Sequence, residues 1–237
     1  RDTNEDGVAD QTAAFGSGAG HGIYYDEPFL YFAREDRIER FQLNPSSLTP
    51  VSGPQVIVSG MPDTGDHVTK TIVVTDDGDL FVNLGSASDV CQVVNRQAGT
   101  LGVDPSPEMP IRSGIWRYDA DTPGQVHNSA ARFATGTRNM VALALHPENG
   151  NLYGVQHGRD NLNQYWPDQF SAQDQAELPS EGLFLLEGGQ DYGWPYCYDL
   201  STVSPEFAQF LKGGTYKDLC NYKVVYRSPF SLLPPHS

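Results

Sequence analysis

The sequence predicts an all-β protein and, within that class, a β-propeller. Three observations carry the prediction. First, the 237 residues include 24 glycines and 17 prolines, and 11% are aromatic. That mixture suits short strands joined by tight turns. Second, three segments share one internal order: "HGIYYDEPFLYFAREDRIERFQL", "TIVVTDDGDLFVNLGS" and "MVALALHPENGNLYGVQHG". Each has a strand-like run, a turn, and a second run in which Leu precedes an aromatic. Third, a further strand-like stretch follows or closes each one: "RIERFQL", "GIWRYDA" and "GLFLLEGG". A multi-strand unit that recurs in this way reads as a propeller blade with loop insertions. A β-sandwich also shows hairpins at intervals, but it does not require the same internal order to repeat. Three units are fewer than the roughly four to eight blades of a closed ring. Either the ends of a larger propeller are missing or the ring closes with partner chains; the favoured expectation is that residues 1–237 form a single propeller domain that is incomplete at its C-terminus.

Each element has its own local warrant. The Leu-aromatic pairs Leu30-Tyr31, Leu80-Phe81 and Leu152-Tyr153 recur after 50 and then 72 residues. The turns of the second and third units carry Asp77-Gly78 and Asn149-Gly150, pairs that tolerate positive φ and so close hairpins. "SPEFAQFLKGG" (204–214) predicts a short helix, with Ser204 as N-cap, Pro205 in the first position and Gly213 at the end. "YGWP" cannot continue a helix or a central strand. It predicts a rigid aromatic loop that stacks on a planar ligand or wedges Trp194 between blades. Of the three cysteines, Cys197 and Cys220 flank a loop of moderate length and can pair, which leaves Cys91 over.

Charge and hydropathy narrow the function. The net charge is −15, and no basic run is present, so nucleic acid is a poor partner. No apolar run reaches the length of a membrane span. No signal peptide is visible ahead of "RDTNEDG". A secreted or periplasmic location, with the signal already removed, is the expectation.

Several groups can carry chemistry. "DTNEDGVAD" alternates Asp2, Asn4 and Asp6 around a turn glycine and adds Asp10, a pattern that suits a structural Ca²⁺, although Ala13 stands where a twelfth-position acid would. The plainer reading is an acidic Asx turn. His67 in "TGDHVTKTI" lies at the head of the second unit, with Asp66 beside it and Lys70 three residues on. Arg138 and Asn139 lie at the head of the third unit in "GTRNMVALAL", where a guanidinium and an amide can hold a carboxylate or quinone oxygen; a salt-bridged arginine at a strand entrance is the plainer reading. "VQHGRDNL" places His157, Gly158, Arg159 and Asp160 just after a strand. A glycine there lets backbone carbonyls approach a cation. Strand heads of consecutive blades face one channel end, so His67 and Arg138 can converge. Asp66 or another carboxylate would orient the imidazole as a base. A hydrogen-bonded structural histidine is the alternative.

These motifs, taken in order, resemble the soluble glucose/sorbosone dehydrogenase family that depends on pyrroloquinoline quinone (PQQ), especially its sorbosone and pyranose dehydrogenase branch. The stretches that carry the resemblance are "HGIYYDEPFLYFAREDRIERF", "MPDTGDHVTKTIVVTDDGDLFVNLGSASDVC", "ATGTRNMVALALHPENGNLYGVQHGRDNL", "EGGQDYGWPYC" and "LPPHS". The resemblance implies a six-bladed β-propeller with PQQ lying over the channel and Ca²⁺ polarising the quinone. It implies oxidation of a sugar at its anomeric hydroxyl, with His67 taking the proton and Asp66 as the polar neighbour of the base. Arg138, Asn139 and His157 would line the cofactor site, and Gly158 and Arg159 would offer backbone carbonyls to Ca²⁺. Lys70, standing where many relatives carry arginine, is grouped with the cofactor contacts. A second cysteine that often accompanies "GSASDVC" is missing, and the family continues well beyond "PPHS". Electrons would pass to a quinone, a dye or a haem protein. Two rivals remain at this point: a Ca²⁺-dependent propeller lactonase or other hydrolase, and a non-catalytic propeller used for binding.

Overall fold

The computed structural model describes residues 2–47, 49–165, 167–168, 170–177, 181–196 and 231–233. Its strands form three antiparallel sheets that follow one another along the chain. The first contains β1 (Ile23–Asp26), β2 (Phe29–Ala33), β3 (Arg37–Gln42) and β4 (Gln55–Ser59) in that order. The second contains β5 (Ile72–Val74), β6 (Asp79–Leu84), β7 (Gly114–Asp119) and β9 (Arg132–Thr135). Between its last two strands the two-residue β8 (Gln125–Val126) leaves to pair in parallel with β4. The third contains β10 (Met140–Leu145), β11 (Leu152–Gln156), β12 (Glu181–Leu186) and β13 (Ser231–Leu233). The helices between β11 and β12 are short: α1 (Leu162–Tyr165) and α2 (Ala172–Glu177). No helix among the described residues is long and apolar enough to cross a membrane.

The repeated units of the sequence are these sheets. The hairpin of β5 and β6 turns on Gly78 at φ +83°, and that of β10 and β11 on Gly150 at φ +69°. "RIERFQ", "GIWRYD" and "EGLFLL" are the third strands.

The core follows from strand alternation, because successive side chains leave opposite faces. On the second sheet, Ile72, Val74, Leu80, Val82, Leu84, Trp116 and Tyr118 point one way and pack against Tyr31, Ile38, Ile57 and Val58 of the first. Their neighbours Val73, Phe81, Ile115 and Ala134 point the other way and pack against Met140, Leu152, Phe184 and Leu186 of the third. The middle sheet is therefore covered on both faces, which explains why β5 and β6 read as nearly continuous apolar runs. A two-sheet sandwich has no such twice-covered layer. The first strands of the three sheets lie side by side, β5 touching both β1 and β10.

The proposed helix 204–214 and the Cys197–Cys220 pair lie outside the described residues. Cys91 is a buried free thiol whose Sγ lies 3.1 Å from Ser106 Oγ. Trp194 is 2% exposed and its indole donates to Asp89 O at 3.0 Å, so it wedges.

Candidate functional site

The heads of β5 and β10 and the ends of β6 and β11 meet at one end of the stack. Backbone bonds tie them. Ser86 N, just past β6, donates to Arg138 O at 2.7 Å, and His157 N, just past β11, donates to Asn139 O at 3.1 Å. Asn83 Oδ1 accepts from Met140 N at 3.2 Å, and Thr71 Oγ1 donates to Met140 O at 2.8 Å. These bonds bring His67, Arg138, Asn139, His157 and Gly158 into one neighbourhood. Gly85 sits in the middle of it. A Cβ there would lie 2.6 Å from His67 Cβ, 2.9 Å from His67 O and 3.2 Å from Asn139 Oδ1, so only glycine allows the two side chains to flank this point.

His67 is 9% exposed. Its Nδ1 lies 3.0 Å from Ser86 O and 2.9 Å from Ser86 Oγ. Its Nε2 makes no hydrogen bond among the described residues. Burial, followed by the Arg138 charge, draws the imidazole pKa from 6.5 down to about 4, against the opposing effects of the Ser86 bond and the Asp89 and Asp66 charges. The ring is neutral at neutral pH. The expectation that Asp66 orients it is not met. Asp66 accepts from Asn95 Nδ2 at 3.0 Å and Arg96 Nε at 2.8 Å, and Ser86 takes the orienting place. Burial of Asp66 works to raise its pKa, but those two donors outweigh it and the net shift is downward.

An alternating line of charge runs from Asp66 to Arg159. Asp66 meets Arg96 at 2.8 Å, and Arg96 meets Asp160 at 3.5 Å. Asp160 meets Arg138 at 2.7 Å, Arg138 meets Asp89 at 2.8 Å, and Asp89 meets Arg159 at 3.7 Å. Arg138, Asp89 and Arg159 are almost wholly buried, and buried charges require such partners. Arg138 uses Nε and Nη2 on the two aspartates, while its Nη1 makes no hydrogen bond among the described residues. Asn139 Oδ1 accepts weakly from Asn83 Nδ2 at 3.4 Å, and its Nδ2 has no partner among them. Gly158 N donates to Glu181 Oε2 at 3.1 Å, and its carbonyl accepts no hydrogen bond among the described residues.

Lys70 does not join this group. It is 2% exposed, and its ammonium donates to Pro62 O at 2.9 Å and Val68 O at 2.8 Å. A buried ammonium must find acceptors, and the carbonyls of the His67 loop supply them. This corrects its assignment as a cofactor contact. Burial, then the Arg112 charge, lowers its pKa to about 8, so it remains charged at neutral pH.

The long excursion between β6 and β7 adds further supports for the loop. Arg112 donates to Gly85 O at 2.7 Å, Thr64 O at 2.6 Å and His67 O at 3.3 Å. The Glu108 carboxylate accepts from Ala87 N and Ser88 Oγ. Sequence reasoning missed Ser86, Asp89, Arg96, Glu108 and Arg112. "GSASD", a small polar run straight after a strand of the His67 unit, was a usable signal for Ser86 and Asp89. Nothing local marks Arg112, which lies 45 residues from His67.

The acidic loop at residues 2–10 differs from its expectation as a calcium site. Asp2 accepts from the amides of Asn4, Glu5 and Gly7. Asn4 accepts from Asp6 N and Asp6 from Val8 N. Asp10 Oδ2 accepts from Thr3 N and Thr3 Oγ1. These are overlapping Asx turns that satisfy the loop's own amides. No group of three or more His, Cys, Asp or Glu converges among the described residues in a way that could hold a metal ion.

The chain is similar to the "pyrroloquinoline quinone-dependent sugar dehydrogenase" of Hypocrea jecorina (strain QM6a), 27% identical over 156 residues, covering 62% of this chain and 33% of that protein. Its fold is similar to the iodide structure of the Trichoderma reesei carbohydrate-active enzyme of family AA12, with a TM-score of 0.70, 20% identity, and coverage of 91% of this chain and 56% of that one. It is also similar to the holo form of the pyranose dehydrogenase PQQ domain from Coprinopsis cinerea, with a TM-score of 0.65, 18% identity, and coverage of 91% and 55%. The chain thus spans about a third of that curated relative and just over half of these solved structures. The TrAA12-like family profile matches residues 3–216, and the chain belongs to the TrAA12-like family.

Proposed function

We propose that the three sheets are blades of one six-bladed β-propeller domain, in a secreted or periplasmic sugar dehydrogenase that uses PQQ and Ca²⁺, with His67 as general base. The observation that carries this reading is His67 itself: a neutral, nearly buried imidazole with one nitrogen held by Ser86 and the other open. The names of the relatives supply the chemical context.

The residues present fit such a group. Among the described residues, Arg138 Nη1, Asn139 Nδ2, the Gly158 carbonyl and His67 Nε2 are polar atoms of the site that make no hydrogen bond. Two donors suit the oxygens of an anionic quinone, and a backbone carbonyl suits a hard cation. When bound, PQQ with its Ca²⁺ supplies the hydride acceptor. His67 takes the proton from the anomeric hydroxyl, which makes hydride leave the same carbon more readily. Arg138 is held in place by Asp89 and Asp160 and keeps positive charge beside the site. Gly158 and Arg159 would offer carbonyls to the cation, and His157, whose amide donates to Asn139 O, precedes them in the chain. An external acceptor such as a quinone, a dye or a haem protein would be needed to take up the electrons. A calcium lactonase would instead need carboxylates gathered on the metal.

The intact protein, reconstituted with PQQ and Ca²⁺, is expected to reduce a dye in the presence of an aldose. His67→Ala should cost about a hundredfold or more in kcat while the PQQ absorbance spectrum still shows binding. Tight PQQ binding with undiminished activity in that variant would sink the base assignment. Lactone hydrolysis without any quinone would sink the redox reading.

A further inference from the structure

We propose that Ser86 is a positioning residue that locks His67 as its Nδ1–H tautomer, which leaves the basic lone pair on Nε2. The inference deepens the proposed function and rests on His67 being the base, but the tautomer can be tested without any cofactor.

The tautomer follows from which atoms can donate. A backbone carbonyl only accepts, so the 3.0 Å contact between His67 Nδ1 and Ser86 O requires a proton on Nδ1. The Ser86 hydroxyl could in principle donate to the ring. Its hydrogen is already committed, because Oγ donates to Ser88 O at 2.6 Å. Oγ is therefore the second acceptor for Nδ1–H, at 2.9 Å. Two acceptors on one side of the ring select one tautomer and set the ring plane. The open nitrogen then carries a lone pair and no proton, as a base requires.

The serine is itself held on every side. It is 0% exposed. Its amide donates to Arg138 O at 2.7 Å, so the residue that orients the imidazole is also bonded to the head of the third sheet. Ser88, which receives the Ser86 hydroxyl on its carbonyl, is anchored through its own Oγ to Glu108. Glu108 also accepts from Ala87 N. The 86–88 turn is thus pinned from behind by a carboxylate that never touches the ring.

The test is ¹⁵N–¹H NMR of histidine-labelled intact protein without cofactor, at neutral pH. The His67 ring should show a protonated Nδ1 and an unprotonated Nε2. In Ser86→Ala, which keeps the carbonyl acceptor and loses the hydroxyl, the Nε2–H form should become detectable. In the PQQ-loaded enzyme the same variant should lower kcat about tenfold, in keeping with loss of one hydrogen bond, with KM little changed. A wild-type ring protonated on Nε2 would overturn the proposal. So would a Ser86→Ala ring unchanged from wild type, since the carbonyl alone would then suffice. If the tautomer is found as stated but His67→Ala remains active, the base reading fails and the Ser86 assignment stands as a structural fact.

Discussion

The loop at residues 2–10 and the cluster around Asp89 both hold three aspartates, Asp2, Asp6 and Asp10 in one and Asp66, Asp89 and Asp160 in the other. In the loop each carboxylate is solvent-exposed and turns back on the amides of its own neighbours, two to seven residues away. In the cluster the carboxylates come from three separate loops and meet arginines 22, 30 and 49 residues distant. The same side chain therefore serves two purposes. In water it organises a turn, and inside the protein it neutralises a guanidinium that could not otherwise be buried. The more conspicuous acidic pattern in the sequence belongs to the region that does the lesser structural work.

The largest break in this contrast should come from Asp89→Ala, which takes from buried Arg138 one of its two carboxylate partners and removes the ion pair to Arg159. A loss of about 3–5 kcal/mol in urea denaturation is expected. An unchanged midpoint would mean that the buried network is dispensable. Next is pH. The folded His67 pKa is about 4 against an ordinary 6.5. Between those values the unfolded chain binds the proton and the folded chain does not, so stability falls as pH falls through that window. The expected contribution is on the order of 3 kcal/mol, and His67→Gln should remove that part of the slope. If wild type and variant lose stability in parallel from pH 6.5 to 4, the neutral buried imidazole is wrong.

Smaller effects should follow at the cluster's edge. Arg96→Ala removes a partly exposed partner of Asp66 and should cost less than about 1 kcal/mol. NMR titration should also show the Asp66 pKa rising, since a donor and a positive charge are lost together. No movement of that pKa would break the pairing. The smallest effect belongs to Asp2→Ala. It should leave the unfolding midpoint and cofactor binding where they were and alter only the local amide shifts of residues 4–7. A lower midpoint in the variant, with a Ca²⁺-induced rise in midpoint that wild type alone shows, would restore the calcium reading of that loop.

Much of the architecture was legible because it is written in local periodicity. Alternating apolar residues in β5 and β6, Asp77-Gly78 and Asn149-Gly150, and the Leu-aromatic pairs all follow from the chemistry of adjacent residues. His67, Arg138 and Asn139 were legible as strand-head residues for the same reason. The partner of His67 was not. Asp66 looked suitable because it is adjacent in sequence, yet neighbouring side chains diverge. Asp66 reaches the 95–96 turn, while Ser86, 19 residues on, meets the ring. Lys70 was misplaced for a different reason. The resemblance grouped it with the cofactor contacts because many relatives carry arginine there, whereas its burial directs it to two carbonyls of the loop it belongs to.

The order of strands, the turns and the positions able to carry chemistry were therefore determined by the order of residues, because they depend on contacts a few positions long. The charge line from Asp66 to Arg159, the Arg112 supports and the orientation of His67 were decided only by tertiary structure. Those interactions join residues from different sheets and loops, and which donor meets which acceptor is settled by burial. Inside the protein each charge and each N–H must find a partner, and the partner is whichever group the packed backbone brings within reach.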